Sequence, residues 1–255
     1  MFLSWKSASC LVFGVAVLSG SSASAGDKDI DPKQKAWYEK YKKQDNIPKP
    51  EDMLFNTDEE PDVKEGFEPL FNGKDLTGWK PLGGECKFEV KDGMVIGTCV
   101  PGSNSTYLST EKNDYKDFVF TCDMKWVVDG NSGVMFRAQV KGKGKKETVF
   151  GPQAEMEGIT GDRYWSGGIY GQSCGGYFYP LWLTGHEAAR KALKRDDWNR
   201  LTIHAKGNTV KTWINGVPAA HWVDDGTYAK GFFSLQIHKG QKGQVIWKNV
   251  RVKQL

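Results

Sequence analysis

From Gly66 onward, apolar and polar residues alternate along most of the chain. FVFTCDMKWVV sets Phe118, Phe120, Cys122, Met124 and Trp126 on one side and Thr121, Asp123 and Lys125 on the other, the period-two pattern of a half-buried strand. NSGVMFRAQV, TVFGPQAEME, WNRLTIHAK, NTVKTWIN, FFSLQIHK and QVIWKNVRVKQL supply further strands. Asp92-Gly93, Asp129-Gly130, Gly207-Asn208 and Asn215-Gly216 read as hairpin dipeptides between them. Only HEAARKALKR, 186–195, has a helical pattern in this half, and no βαβ rhythm occurs. The expected fold is all-β: an antiparallel β-sandwich or jelly roll spanning 64–255.

The segment before it differs. DPKQKAWYEKYKKQ predicts one short helix, with Asp31 as N-cap, Pro32 at its first position, and Trp37 and Tyr41 on one face. Charged and proline-bearing fragments follow from Asn46 to Lys64, so 26–63 reads as a helix and a linker, or an arm lying over the main domain. The first 25 residues have the layout of a signal peptide: Lys6, an apolar run from Ala8 to Leu18, and the small-residue site Ala23-Ser24-Ala25. That run is short of the roughly 20 residues that span a bilayer, so the expectation is export to the periplasm or exterior without a membrane span.

Charge adds little: 35 basic against 31 acidic residues give a net charge of +4, too small an excess for a nucleic-acid surface. Cleavage of the leader would leave Cys86, Cys99, Cys122 and Cys174. Counting outward from Asp92-Gly93 brings Cys86 opposite Cys99 as a close, non-hydrogen-bonded pair, which predicts a disulfide in an oxidising compartment. Cys122 falls on the apolar face of its strand.

No metal, nucleotide or triad motif is present. His204 and His238 lie on predicted strands, where lone histidines are mostly structural. In GPQAEMEG, Gln153, Glu155 and Glu157 stand at i, i+2 and i+4, so an extended chain points all three to one face, about 6.6 Å apart. That face meets water or lines a site. Two carboxylates about 5 to 10 Å apart are the working unit of glycoside hydrolysis, and this spacing resembles that of laminarinase-type glycosidases, with Gln153 where a carboxylate nucleophile would stand. Ten Trp, nine Tyr and 13 Phe, with Tyr170, Tyr177, Tyr179 and Trp182 interleaved with glycines in SGGIYGQSCGGYFYPLW, could supply a sugar-binding rim.

Taken together, GFEPLFNGKDLTGW, FEVKDGMVIG, NSGVMFRAQ, GPQAEME, GGIYG, WNRLTIHAKGNTVKTWINGV and VIWKNVRVKQL resemble the 3-keto-disaccharide hydrolase domain family over roughly Lys64 to Leu255. The resemblance implies a concanavalin A-like lectin/glucanase fold and chemistry on sugars oxidised at C3. Carried onto this chain, it points to Glu155 as base or substrate anchor, Glu157 as its partner, and Arg137 as the cation for a sugar oxygen or enolate. Asn131, Gln153, Tyr170, Tyr177, Trp182 and His238 are the expected substrate contacts. Asn72, Gly73, Asp75 and Trp79 are expected to be structural. No cofactor is expected; calcium, held by some concanavalin A-like folds, finds only a weak pattern in Asp224-Asp225-Gly226. A lectin-like module without turnover would use the same face.

Overall fold

The computed structural model describes residues 25–142 and 147–255. The predicted leader and its cleavage site lie outside the described residues, apart from Ala25. Two antiparallel sheets face each other. Sheet one runs β13 (Val217–Val223), β12 (Thr209–Ile214), β11 (Asn199–Lys206), β6 (Phe118–Val128), β15 (Gln244–Gln254), β4 (Met94–Thr98) and β3 (Lys87–Lys91), with the short β1 (Glu68–Pro69) also on β15. Sheet two runs β10 (Gly176–Tyr179), β9 (Ile169–Gln172), β8 (Thr148–Met156), β7 (Ser132–Lys141), β14 (Phe232–Ile237), β5 (Thr106–Thr110) and β2 (Trp79–Leu82). The β-sandwich is as the alternation predicts. The inner side of β6, Phe118 to Trp126, is buried, and Phe233 of β14 meets Phe118 and Phe120 across the core at 4.7 and 4.8 Å between ring centres.

Three of the four turn dipeptides behave as predicted. Asp92-Gly93 and Asn215-Gly216 have left-handed backbone at both positions and close β3–β4 and β12–β13, while Gly207-Asn208 closes β11–β12. Asp129-Gly130 does something else. Its flanking strands lie in different sheets, so it is a crossover that delivers Asn131 to sheet two. Trp126 donates its indole N–H to the Gly130 carbonyl at 2.8 Å, and a Cβ on Gly130 would stand 2.9 Å from the Gly243 Cα. Close backbone approach, rather than hairpin geometry, explains that glycine.

The N-terminal segment wraps the sandwich. Asp31 caps a 3-10 turn, Pro32–Gln34, that leads into helix α1 (Lys35–Tyr41), its carboxylate accepting from the Lys33 amide at 2.8 Å. Helix α1 and the residues after it pack beside β10. Further on, the segment lies on the other sheet: Asn56 donates to the Thr212 carbonyl at 3.0 Å, Trp213 to that of Asp58 at 3.0 Å, and Glu60 accepts from Arg200 Nε at 2.9 Å and Thr202 Oγ1 at 2.6 Å. A second short helix, α2 (Glu187–Lys191), anchors it through Arg190, which pairs with Asp31.

Near it His186 is buried. Its Nδ1 accepts from the Leu183 amide at 3.3 Å, so Nε2 carries the hydrogen and donates to Tyr179 Oη at 3.0 Å, and that hydroxyl donates to the Leu54 carbonyl. Burial, with Arg190 nearby, pushes its pKa down to about 3.

Cys86 and Cys99 stand at the register the hairpin count requires, since Lys87 pairs with Thr98 immediately inside them. They are in hydrogen-bond contact but present as free thiols rather than a disulfide, with sulfurs also near the carbonyls of Asn104 and Gly240. Cys122 is buried on the inner face, where burial pushes its thiol pKa far up. Among the described residues no helix is long and apolar enough to cross a membrane.

Candidate active site

The outer face of sheet two carries a polar floor built by register. One cross-strand row reads Tyr107, Gln236, Gly133 and Glu155 through β5, β14, β7 and β8; the next reads Ser109, Ser234, Met135, Gln153 and Tyr170, ending on β9. Opposed residues share a face, so Gln153, Glu155 and, just beyond β8, Glu157 line one cleft of about 890 Å³. Gly133 makes the floor possible: a Cβ there would sit 2.5 Å from Gln153 Nε2.

That face is not a solvated one. Gln153, Glu155 and Glu157 are 1, 3 and 2% exposed, a burial that costs roughly several kcal/mol per carboxylate unless partners meet it. Glu155 Oε1 accepts from Asn131 Nδ2 at 2.9 Å and Arg163 Nη2 at 3.3 Å, and its Oε2 from Gln153 Nε2 at 3.0 Å. Glu157 accepts from Arg163 Nε at 2.7 Å and the Tyr164 amide at 2.8 Å. Burial raises the Glu157 pKa and neighbouring Glu155 adds to the rise, with Arg163 offsetting only part. On Arg163 burial works the other way, but Glu155, Glu157 and Tyr41 outweigh it and the guanidinium pKa is raised.

A carboxylate only accepts, so Asn131 and Gln153 must both turn their NH₂ groups toward Glu155. Their carbonyl oxygens, Asn131 Oδ1 and Gln153 Oε1, are thereby left buried without a partner on either side of it. Gln236 Oε1, one row away, is in the same condition, although its NH₂ reaches Tyr107 and Gln172 at 3.4 and 3.3 Å. Burial lifts the Tyr107 pKa to about 12, so its hydroxyl stays protonated. His238 lines the cleft with Nδ1 2.7 Å from the Lys239 carbonyl. Tyr170 and Tyr177 line it with rings 4.9 Å apart.

Two expected site residues lie elsewhere. Continued alternation along β7 would put Arg137 on the floor, but a bulge between Met135 and Gln139 breaks it, and Arg137 is left-handed at φ 47°. Its buried guanidinium donates instead to the Lys116 and Tyr228 carbonyls at 2.8 and 3.2 Å and pairs with Asp117 at 3.3 Å. Trp182 is fully buried with its ring edge-on to Tyr38 at 4.9 Å, because the N-terminal segment covers what would otherwise be rim.

The cation that pairs with both glutamates is Arg163, on the loop between β8 and β9. Besides the two glutamates it donates to Tyr177 Oη, and its Cζ lies 5.3, 5.6 and 6.0 Å from the ring centres of Tyr177, Trp165 and Trp37. Arg195 fixes this loop by donating to the carbonyls of Gly158 and Gly161 at 3.1 and 2.6 Å. The available sequence signal is GDRYW, an arginine followed by two aromatics and within eight residues of the acidic pair. Asp224 and Asp225 accept from the Tyr228 and Thr227 amides of their own turn, and no metal-holding group of three or more His, Cys, Asp or Glu occurs among the described residues.

Amides, paired carboxylates and aromatic flanks gathered on one face of an antiparallel sandwich are the groups that a carbohydrate site uses. The chain belongs to the 3-keto-alpha-glucoside-1,2-lyase-like domain family, whose model matches residues 66–253. Among solved structures, it is similar to a candidate glycosyl hydrolase from Parabacteroides distasonis, at 24% identity over 75% of this chain and 94% of that one, with a TM-score of 0.53. It is also similar to a Bacillus subtilis protein of unknown function with a galectin-like fold, at 13% identity over 74% of this chain and 94% of that one, TM-score 0.51. No curated protein matches the sequence.

Proposed function

We propose that this chain is an exported enzyme that cleaves the glycosidic bond of a 3-keto-glycoside by removing the C2 proton and eliminating the C1 substituent. A carbonyl at C3 acidifies the C2–H bond. Glu155 takes that proton, and the electron pair passes into a C2–C3 enolate whose oxygen needs a donor or cation. Arg163 is that cation in place of Arg137, with five N–H groups against four protein acceptors. Collapse of the enolate forms the C1–C2 double bond, restores the ketone and expels the C1 oxygen. Glu157, whose raised pKa suits it to hold a proton, supplies one to that oxygen. Addition of water across C1–C2 gives net hydrolysis. No carboxylate nucleophile at C1 is required, which accommodates Gln153.

The observation that carries this reading is the pair of buried, unpartnered carbonyl oxygens flanking Glu155. They are acceptors awaiting donors, and sugar hydroxyls are donors of the right chemistry. The test is a product assay on purified protein with a 3-keto-glucoside beside its unoxidised parent, comparing wild type with Glu155→Gln. Release from the keto substrate alone, reduced about 10²- to 10⁴-fold in the variant, is the expected result. Sugar binding with no product from either substrate would replace the enzyme with a lectin-like module.

A further inference from the structure

The family domain begins at residue 66, yet one wall of the cleft comes from well before it: Trp37, Lys40, Tyr41 and Gln44 line the cavity. Trp37 and Tyr41 present near-parallel rings, 13° apart with centres 6.1 Å apart, and the exposed Lys40 side chain reaches over both, its ammonium 5.0 and 5.2 Å from the ring centres, where an incoming ring would displace it. They stand beside the catalytic carboxylates, because Arg163, which pairs with both glutamates, also faces the Trp37 ring and hydrogen-bonds the Tyr41 side chain.

This wall is built in. Gln34 is buried, donating to the Arg163 carbonyl at 3.1 Å and accepting from Trp165 Nε1 at 2.7 Å, so it grips the loop that carries the cation. Gln44 accepts from the Tyr177 amide at 3.0 Å, and Asn46 donates to the Cys174 carbonyl at 3.2 Å. The turn between β9 and β10 is cut to receive them. A Cβ on Gly175 would lie 1.8 Å from the Asn46 amide nitrogen, and one on Gly176 would lie 2.3 Å from Gln44 Oε1.

We infer that the N-terminal segment is a substrate-specificity element, whose Trp37–Tyr41 wall receives the flat apolar face of the ring attached through the scissile oxygen. Polar floor and aromatic wall divide the work: unpartnered acceptors take the hydroxyls of the reacting sugar, and the indole and phenol faces take the next ring. A sugar and an aromatic aglycone share that chemistry. The inference rests on the proposed glycoside cleavage and deepens it, by requiring a substrate that extends beyond one ring.

The test compares the full chain with Trp37→Leu and Trp37→Phe on three 3-keto-glycosides bearing a methyl group, a second sugar or an aryl group. The expected result is that the kcat/KM ratio of the disaccharide, the aryl glycoside or both to the methyl glycoside falls roughly three- to tenfold in Trp37→Leu and recovers in Trp37→Phe. Loss confined to one of the two ringed substrates identifies which ring the wall reads. Unchanged ratios for both overturn the inference, whatever happens to absolute activity. Should Trp37→Leu not fold, Trp37→Gln takes its place. If wild type turns over none of the three, the cleavage reading has failed and the same ratios are taken from dissociation constants of the unoxidised parents. A selective fall then still supports the wall, while equal change or no binding overturns it.

Discussion

Arg137 and Arg163 are both largely buried and both paired with acidic side chains, yet their surroundings assign them different work. Around Arg137 the acceptors are chiefly main-chain carbonyls, those of Lys116 and Tyr228, with Asp117 at the edge. The guanidinium there ties a bulged strand to two loops. Around Arg163 the acceptors are two buried carboxylates and tyrosine hydroxyls facing a cleft. A cation satisfied by backbone stabilises the fold, whereas one shared between carboxylates on a cavity wall sets their charge and faces whatever enters.

The largest effect should follow from breaking the second arrangement. Arg163→Ala leaves two neighbouring buried carboxylates without the cation that offsets their burial. The proposed turnover should fall about 10²- to 10³-fold, in line with loss of a group stabilising developing charge, and kinetics on a 3-keto-glucoside would show it. Activity within a few fold of wild type would remove Arg163 from the site. Arg137→Ala sharpens the contrast from the other side. It should destabilise the protein by about 1–3 kcal/mol, the usual cost of leaving buried acceptors such as the Lys116 and Tyr228 carbonyls unpaired, read as a lower denaturant midpoint, with folded protein keeping near-normal kcat/KM. Normal stability with lost activity would restore Arg137 to the role the sequence reading gave it.

A smaller effect should separate fold from site by pH. Unfolded, His186 takes up a proton near 6.5; folded, only near 3. The unfolded chain therefore binds more protons between these values, so this contribution to stability is full above pH 6.5 and is lost as pH falls toward 3. His186→Gln keeps a donor and an acceptor without titrating, and its melting temperature should decline less steeply over that window. Equal slopes for the two proteins would remove His186 as the cause.

These contrasts show what was legible in the sequence. Alternation in FVFTCDMKWVV and QAEME fixes which residues share a face, because strand geometry is local. It could not reveal that a bulge at Arg137 reverses that face, nor that Asp129-Gly130 joins two sheets, since the same dipeptide serves a hairpin or a crossover. Glu155 and Glu157 were visible as a pair; their burial was not, because it depends on a loop and an N-terminal helix that no period links to β8. Trp182 looked like rim for the same reason. Arg163 was missed because a loop residue has no periodicity to mark it.

The N-terminal wrap has a consequence for how the protein comes to be active. Its contacts join residues far apart in the chain: Gln34 with Trp165, Gln44 with Tyr177, Asn56 with Thr212 and Glu60 with Arg200 are separated by 131, 133, 156 and 140 positions. Each such closure is slow, since a long stretch must be ordered before its contacts repay the entropy. The first part of the chain to be made must therefore wait for strands near the end before it can settle. The sandwich itself closes over comparable separations, since β15 pairs with both β6 and β1, so the aromatic wall and the floor it faces both depend on strands from the last part of the chain.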